Sequence, residues 1–259
     1  MAAGGLKTKF VLRDTMRLYR TLFVRSFLTG LVVFAVLGLL DVILPLLHSD
    51  GAAAAVAIVA TVFAFIGTTF VQGALVEVVD SEHRGVPVPA VTDLYRSSWS
   101  RLDALVRVSI LTGIGVGLGL VALVVPGIVL AVRWALAAPI VMLEGQGARA
   151  AMRRSRELVR GHGRAVFEVL VNVWVRIGLA WLVISFLLGR LQAGTSHPEL
   201  VVWIGGTLAS ALLTPYAAHA LSVVYYRFTD PDRPLLPEKG RSWNSVWQDQ
   251  DLPGDSSTP

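Results

Sequence analysis

The chain has 259 residues, of which 54% are hydrophobic and 16% are charged, and its formal net charge at pH 7 is +5. Soluble domains average about 45–50% apolar and about 25% charged residues, so this composition excludes an ordinary water-soluble fold and indicates lipid as the solvent. The absence of cysteine excludes disulfides, thiol catalysis and cysteine-ligated metals.

Residues 1–25 predict a basic amphipathic helix that lies at the membrane surface. Lys9, Arg13 and Arg17 recur every four residues and therefore share one helix face. A cleaved secretory signal is the alternative interpretation. The basic leader is long, and the apolar core that follows exceeds the roughly 7 to 15 residues usual for such a signal. We therefore expect the segment to stay on the protein.

Six apolar runs follow, most of them near the roughly 20 helical residues needed to cross a bilayer core of about 30 Å. They are Ser26 to Leu47, Ala52 to Val79, Ala104 to Val125, Gly127 to Leu143, Ala165 to Gly189 and Leu200 to Tyr226. Lipid permits only helices or closed barrels, and these runs are continuous rather than alternating. We expect an all-α polytopic membrane protein, with six transmembrane helices over residues 26–227.

Pro126-Gly127 predicts a tight reversal on the outer side between the third and fourth runs, because proline and glycine both disfavour a helix interior. The reversal also places nearly all basic segments on one side, which is the cytoplasmic side by the positive-inside rule. Both termini are then cytoplasmic. Residues 228–259 are rich in Pro, Asp, Ser and Gly and predict a largely disordered cytoplasmic tail.

The predicted helices form an approximate threefold repeat. A basic amphipathic helix precedes each pair of runs: the first spans residues 1–25, the second precedes the third run, and the third covers Ala148 to Val159. Each unit is thus a surface helix followed by a transmembrane hairpin. These helices either bind anionic lipid, at about 1 kcal/mol per cation near the surface, or only anchor the orientation of the chain.

A distinctive set of residues runs through the fourth span and the helix after it: Pro126, Gly127, Arg133, Pro139, Glu144, Gly145, Arg154, Ser155 and Gly161. This set resembles the signature of the membrane domain attached to some bacterial glycerophosphoryl diester phosphodiesterases, which also occurs as stand-alone six-helix membrane proteins. Arg156 stands where that family usually has tryptophan. The family's catalytic barrel does not follow the last span, so the resemblance implies a membrane part in the bacterial cytoplasmic membrane and no enzyme.

Two charged side chains within the spans need a partner, since a charge in mid-helix costs roughly 2.5 to 3.5 kcal/mol on insertion scales. Asp41 and Arg133 each lie the same number of residues from the outer end of their spans. This equal depth predicts an ion pair between the first and second hairpins. Snorkelling of Arg133 to the outer headgroups and a ligand-binding role are the alternatives.

Arg176 lies near the middle of the fifth span and shares a helix face with Glu168 and Asn172. Gln72 and His219, on other spans, are candidates to meet this polar face. The five residues predict either a buried hydrogen-bonded network that fixes helix packing or a water-accessible cavity that binds an anion such as a lipid phosphate.

Other motifs carry no chemistry in this context. The glycines from Gly113 to Gly119 lie in an apolar span, which favours close helix packing over nucleotide binding. The histidines lack metal-ligand spacing, and the serines form no nucleophile elbow. We therefore expect no catalytic residue, metal or cofactor. Anionic lipid is a nearer partner for the basic face than nucleic acid, and a membrane protein partner is a further candidate.

Three classes of function remain from the sequence. A non-enzymatic scaffold that interacts with lipid or a partner fits the basic surface helices best. A transporter or permease-like subunit for a small anionic solute or lipid headgroup fits the repeat, the prolines Pro126 and Pro139, and the central Arg176. A membrane-bound enzyme fits least, because no acid–base or metal constellation is present.

Overall fold

The structure is a computed structural model that describes the backbone of residues 8–43 and 50–236 and the side chains of residues 8–39 and 54–236. All regular elements in these residues are α-helices. In chain order they are α1 (Thr8–Thr21), α2 (Phe23–Ile43), α3 (Asp50–Arg84), α4 (Val91–Ser100), α5 (Leu102–Ala122), α6 (Val124–Trp134), α7 (Ala137–Glu144), α8 (Ala148–Val159), α9 (Gly163–Gln192) and α10 (Pro198–Thr229). The predicted all-α fold class is confirmed.

Several helices are long and apolar enough to cross a membrane. Within the described residues there are five: Ala54–Arg84 in α3, Leu102–Ala122 in α5, Val124–Glu144 formed by α6 and α7 together, Gly163–Gln192 in α9 and Pro198–Thr229 in α10. A sixth is added if α1 and α2, which meet at 74°, form one broken span. The chain is therefore a multi-pass helical membrane protein. The sixth crossing and the pairing of crossings into three hairpins stay predictions.

The outward faces of the long helices are apolar. Four large apolar side chains of α9 are exposed: Leu179, Leu182, Val183 and Phe186. Little of the most apolar part of this helix is buried inside the bundle. Exposed apolar surface of this extent promotes aggregation in water but is ordinary in contact with hydrocarbon. The packing thus agrees with lipid as the solvent.

The chain reverses at Leu123, between α5 and α6. Leu123 is extended, with φ −162° and ψ 137°, and α6 begins at the next residue. The reversal predicted at Pro126-Gly127 therefore lies slightly earlier. Pro126 is accommodated in the first turn of α6, where its missing amide hydrogen is not needed.

Alternate glycines of α5 face α6. A Cβ atom on Gly119 would lie 2.8 Å from the Cα atom of Gly127, and one on Gly115 would clash with the ring of Trp134. A Cβ atom on Gly113 or Gly117 would have no neighbouring atom within 4 Å. The predicted close helix packing thus holds for Gly115 and Gly119 only.

The fourth span is broken between α6 and α7. Pro139 has no amide hydrogen for the carbonyl of Ala135, and its ring crowds that carbonyl, which favours a kink or break in the helix here. The buried hydroxyl of Ser155, on α8, fills the break. It donates to the carbonyl of Arg133 at 2.8 Å and accepts from the amide of Leu136 at 3.1 Å.

The short helices α1, α4 and α8 gather at one end of the bundle, where α3, α7 and α10 finish and α9 starts. Asp14 of α1 accepts from Arg227 of α10, and Thr8 donates to Glu168 of α9. Arg101, at the end of α4, donates to the carbonyl of Val141 in α7. We call this the basic end, because the arginine-rich segments around α1, α4 and α8 all lie there.

Helix α4 is held against α2 by a half-buried tyrosine hydroxyl. Tyr95 donates to the carbonyl of Thr29. Burial raises the pKa of the Tyr95 hydroxyl, so it stays protonated and remains a donor throughout the neutral range.

Helix α2 packs more extensively on α10 than on its chain neighbour α3. The Ser26 hydroxyl and His219 Nε2 lie 3.1 Å apart in the buried contact. Nearer the opposite end, Trp203 Nε1 donates to the carbonyl of Ala35 at 3.0 Å. The first and last long helices are thus direct neighbours.

Helix α10 extends past the predicted end of the last span, and the chain stays packed beyond it. Asp230 lies 3.2 Å from His83 Nε2, and Leu235 is buried. The packed chain therefore continues beyond residue 227, as far as Leu235. Residues 237–259, including Trp243 and Trp247, lie outside the described residues.

Candidate functional site

Carboxylates at the basic end are already engaged in holding helices together. Asp14 accepts from Arg227 at 2.5 Å, and Asp80 of α3 accepts from the hydroxyl of Tyr226 at 2.6 Å. Both carboxylates are largely buried. These two carboxylates therefore hold α1 and α3 against α10.

Helix α8 has one buried face and one basic face. Its buried residues are Ala148, Ala151, Ser155 and Val159. Arg153 and Arg156 are exposed and lie three residues apart, so they share one face, and the exposed Arg160 follows directly after the end of the helix. The buried face holds α8 against the break in the fourth span, and the basic face is directed away from it.

A cavity of about 970 Å³ lies between α6, α8 and the start of α9. Its charged lining consists of five arginines and one glutamate: Arg133, Arg153, Arg156, Arg160, Arg164 and Glu157. The apolar lining comes mainly from Ile128, Val129, Val132, Val159 and Phe167. We call this cavity the arginine cleft.

Most of the cleft arginines have no acidic partner among the side chains that the structure describes. Arg133, Arg153, Arg156 and Arg160 form no salt bridge with the carboxylates that the structure describes, whereas Arg164 pairs with Glu168 at 3.2 Å. Guanidinium groups present planar forks of N–H donors that match phosphate and carboxylate oxygens. The cleft is therefore suited to binding an anion.

An arginine next to the cleft, Arg154, forms a salt bridge that holds helices together. Arg154 points away from the cleft and pairs with Glu144 at 3.5 Å, and Glu144 also accepts from the hydroxyl of Tyr225 at 3.1 Å. Gly145 ends α7 with φ +67°, and a Cβ atom there would lie 2.6 Å from the guanidinium of Arg101. These contacts fix α7 to α4, α8 and α10.

Four of the nine family-signature residues shape the helices around the cleft. Gly127 lets α5 and α6 approach, Pro139 and Ser155 form and fill the helix break, and Gly161, at φ +84°, turns the chain from α8 into α9. Arg133 differs from them, because its exposed side chain lines the cleft itself.

The structure places Arg133 beside α8. Its carbonyl accepts from Ser155, and its guanidinium shares the cleft with the arginines of that helix. The Asp41 side chain lies outside the described residues, so the ion pair between Asp41 and Arg133 stays a prediction.

Arg176 and His219 are linked through two tyrosines. Arg176 Nη1 donates to the hydroxyl of Tyr216 at 2.8 Å. The Tyr19 ring makes edge contacts with both Tyr216 and His219, at centroid distances of 6.0 and 6.3 Å. His219 itself is fully buried against Ser26.

The other residues predicted to join Arg176 have different neighbours. Glu168 accepts from Thr8 at 2.9 Å, and the Asn172 amide donates to the Glu168 carbonyl at 2.8 Å. Gln72 is half-buried on α3. The predicted set is thus split between the α1–α9 contact, the α2–α10 contact and α3.

Arg176 lines a second cavity of about 520 Å³, on the side of α9 that faces α1. The other charged lining residues are Lys9, Arg13, Arg17 and Arg20. The exposed Arg176 side chain therefore turns toward the basic end.

Sequence reasoning missed the arginine cleft, although its residues were visible as charges. The spacing of Arg153 and Arg156 on one face of α8, with Arg160 directly after the helix, was the available signal. The contribution of Arg133 was hidden, because only the break between α6 and α7 and the contact with Ser155 bring it beside α8.

Comparison with protein families identifies the region that contains the cleft. A family model described as the membrane domain of glycerophosphoryl diester phosphodiesterase matches residues 105–227. No curated protein and no solved structure matches the chain. The matched region includes α6 to α9, all five cleft arginines and all the signature residues. The resemblance drawn from the signature is thus confirmed: over residues 105–227 the chain matches the membrane domain of glycerophosphoryl diester phosphodiesterase.

Proposed function

We propose that this chain is a non-enzymatic membrane scaffold whose basic end binds anionic lipid. The main observation in support is that α1, α4 and α8 lie at one end of the bundle, with exposed arginines directed outward. Each cation near an anionic bilayer surface contributes about 1 kcal/mol. The family match supports a membrane role, since the matched part is a membrane domain.

The same arrangement supports an orientation for the chain. Lys and Arg favour the cytoplasmic side of a membrane, and α1, α8 and the end of α10 share the basic end. We therefore place the basic end and both termini on the cytoplasmic side of a bacterial inner membrane. A membrane protein partner is compatible with the same surface.

Lipid binding to the folded state raises its stability. In nanodiscs at low salt, we expect the full chain to unfold at a higher temperature with phosphatidylglycerol present than in phosphatidylcholine alone. The difference should shrink near 1 M salt, where the Debye length is about 3 Å. Equal unfolding temperatures at low salt would contradict the proposal.

A pair of single variants makes this test specific to the basic end. Arg17→Gln removes an exposed cation from α1, and Arg190→Gln removes one from the far end of α9. Arg17→Gln should reduce the stabilisation of the folded chain by phosphatidylglycerol by about 1 kcal/mol, and Arg190→Gln should leave that stabilisation unchanged.

A transport function for a small anion is the alternative, and the cavity beside Arg176 is the observation that favours it. The chain has no cysteine. Single cysteines introduced at Asn172 and Arg176 therefore show whether water reaches these two positions. If the scaffold proposal holds, we expect a membrane-impermeant thiol reagent to leave both unlabelled. Labelling of both would favour transport.

Two further positions calibrate the labelling. Gly147→Cys in the turn before α8 should react, because that residue is exposed at the basic end. Val183→Cys on the outward face of α9 should not react, because it is exposed to lipid and not to water.

A further inference from the structure

We propose that the arginine cleft is a defined binding site for the phosphate of one anionic lipid, with the acyl chains lying along α6 and α9. The inference rests on the proposed function, because it requires anionic lipid at the basic end. It goes further in assigning one site, one ligand class and named residues.

The first support is charge. Arg133, Arg153, Arg156 and Arg160 lack carboxylate partners among the described side chains, and Glu157 is the one carboxylate in the lining. Like charges that share a helix face repel each other. A bound phosphate removes this repulsion and accepts several charge-assisted hydrogen bonds from the guanidinium forks.

The second support is the start of α9. Gly163 and Arg164, its first two residues, line the cleft, and His162 provides no side-chain cap to the helix. The first amide groups of a helix have no partner within it, and the helix dipole makes this terminus positive. Both effects favour an anion at the same place as the arginines.

The third support distinguishes a lipid from a soluble anion. Val129 and Phe167 line the cleft and are exposed, on α6 and α9 respectively. The exposed apolar surface continues from Phe167 to Val171 and Trp174, which share its face of α9. A soluble phosphate would leave this apolar wall of the cleft exposed. A lipid covers the apolar wall with its acyl chain while its phosphate contacts the arginines.

The test uses the full chain in phosphatidylcholine nanodiscs, with short-chain phosphatidylglycerol and inorganic phosphate as probes. The shift of the unfolding temperature with probe concentration gives an apparent dissociation constant. We expect Arg156→Gln combined with Arg160→Gln to weaken phosphatidylglycerol binding by about tenfold or more. Both side chains are exposed, so the variant should keep the helix content and unfolding temperature of the wild type without probe.

The matched control is Arg96→Gln combined with Arg107→Gln. It removes the same charge from the basic end, at arginines paired with Asp93 and Asp103 outside the cleft. Phosphatidylglycerol binding should weaken by clearly less than in the cleft variant, because these two arginines lie outside the proposed site. Equal losses in the two double variants would overturn the cleft and leave the proposed function standing. If the wild type did not bind phosphatidylglycerol, both the cleft proposal and the proposed function would be overturned.

Phe167→Ala separates the two sources of phosphate. It should weaken phosphatidylglycerol binding and leave inorganic phosphate binding unchanged, because only the lipid contacts the apolar wall. In the wild type, inorganic phosphate should bind at least about tenfold more weakly than the lipid. Equal affinity for the two probes would overturn the lipid as occupant and identify a soluble anion site.

Discussion

Replacing Gly127 by alanine is expected to lower the free energy of unfolding by about 1–3 kcal/mol. The new methyl group would lie 2.5 Å from the backbone nitrogen of Leu120 and equally close to its Cγ atom. A backbone atom cannot rotate away, so α5 and α6 must separate. Thermal unfolding of the purified chain, followed by circular dichroism, measures the loss.

Gly117→Ala is the control for this substitution. Gly117 lies on the same hairpin, but a Cβ atom there would have no neighbour within 4 Å. Alanine there should be neutral or stabilising by up to about 1 kcal/mol, since it favours the helix over glycine. If the two variants behaved alike, the α5–α6 contact would not be the close packing described.

Ser155→Ala is expected to destabilise the chain by a comparable amount. It leaves the half-buried carbonyl of Arg133 and the buried amide of Leu136 without their hydroxyl partner. An unsatisfied buried polar group costs about 1–3 kcal/mol. The unfolding temperature of the variant should fall.

Ser100→Ala tests whether losing any serine hydroxyl has the same effect. The exposed Ser100 hydroxyl donates to the carbonyl of Ser97 within one helix turn, where water can replace it. We expect a change below about 0.5 kcal/mol. A Ser155→Ala variant as stable as Ser100→Ala would show that the break is held by other contacts.

The sequence is most informative about structural features that depend on a single helix. Apolar runs located the long helices, because the hydrocarbon thickness sets their length. Pro126-Gly127 indicated the reversal, although the turn lies at Leu123, since proline is tolerated in the first helical turn. The signature indicated a membrane domain, which the family match confirms.

Features that depend on several helices were not predictable. A count of residues from the outer turn places Arg133 at the depth of Asp41, and the ion pair between them stays a prediction. That count carries no information on which helix lies beside Arg133, whose carbonyl accepts from Ser155 of α8. Likewise, the contact between Arg176 and Tyr216 joins two helices, and no pattern within either helix specifies it.

The contact between α2 and α10 has a consequence for biosynthesis. The ribosome makes α2 before α10, so the helix on which α2 packs most extensively is absent while the intervening chain is made. Until α10 arrives, Ser26 and the carbonyl of Ala35 lack their native partners. Assembly of the domain is therefore completed only after translation has passed the final helix, and chains that stop short of it should be recognised by quality-control proteases.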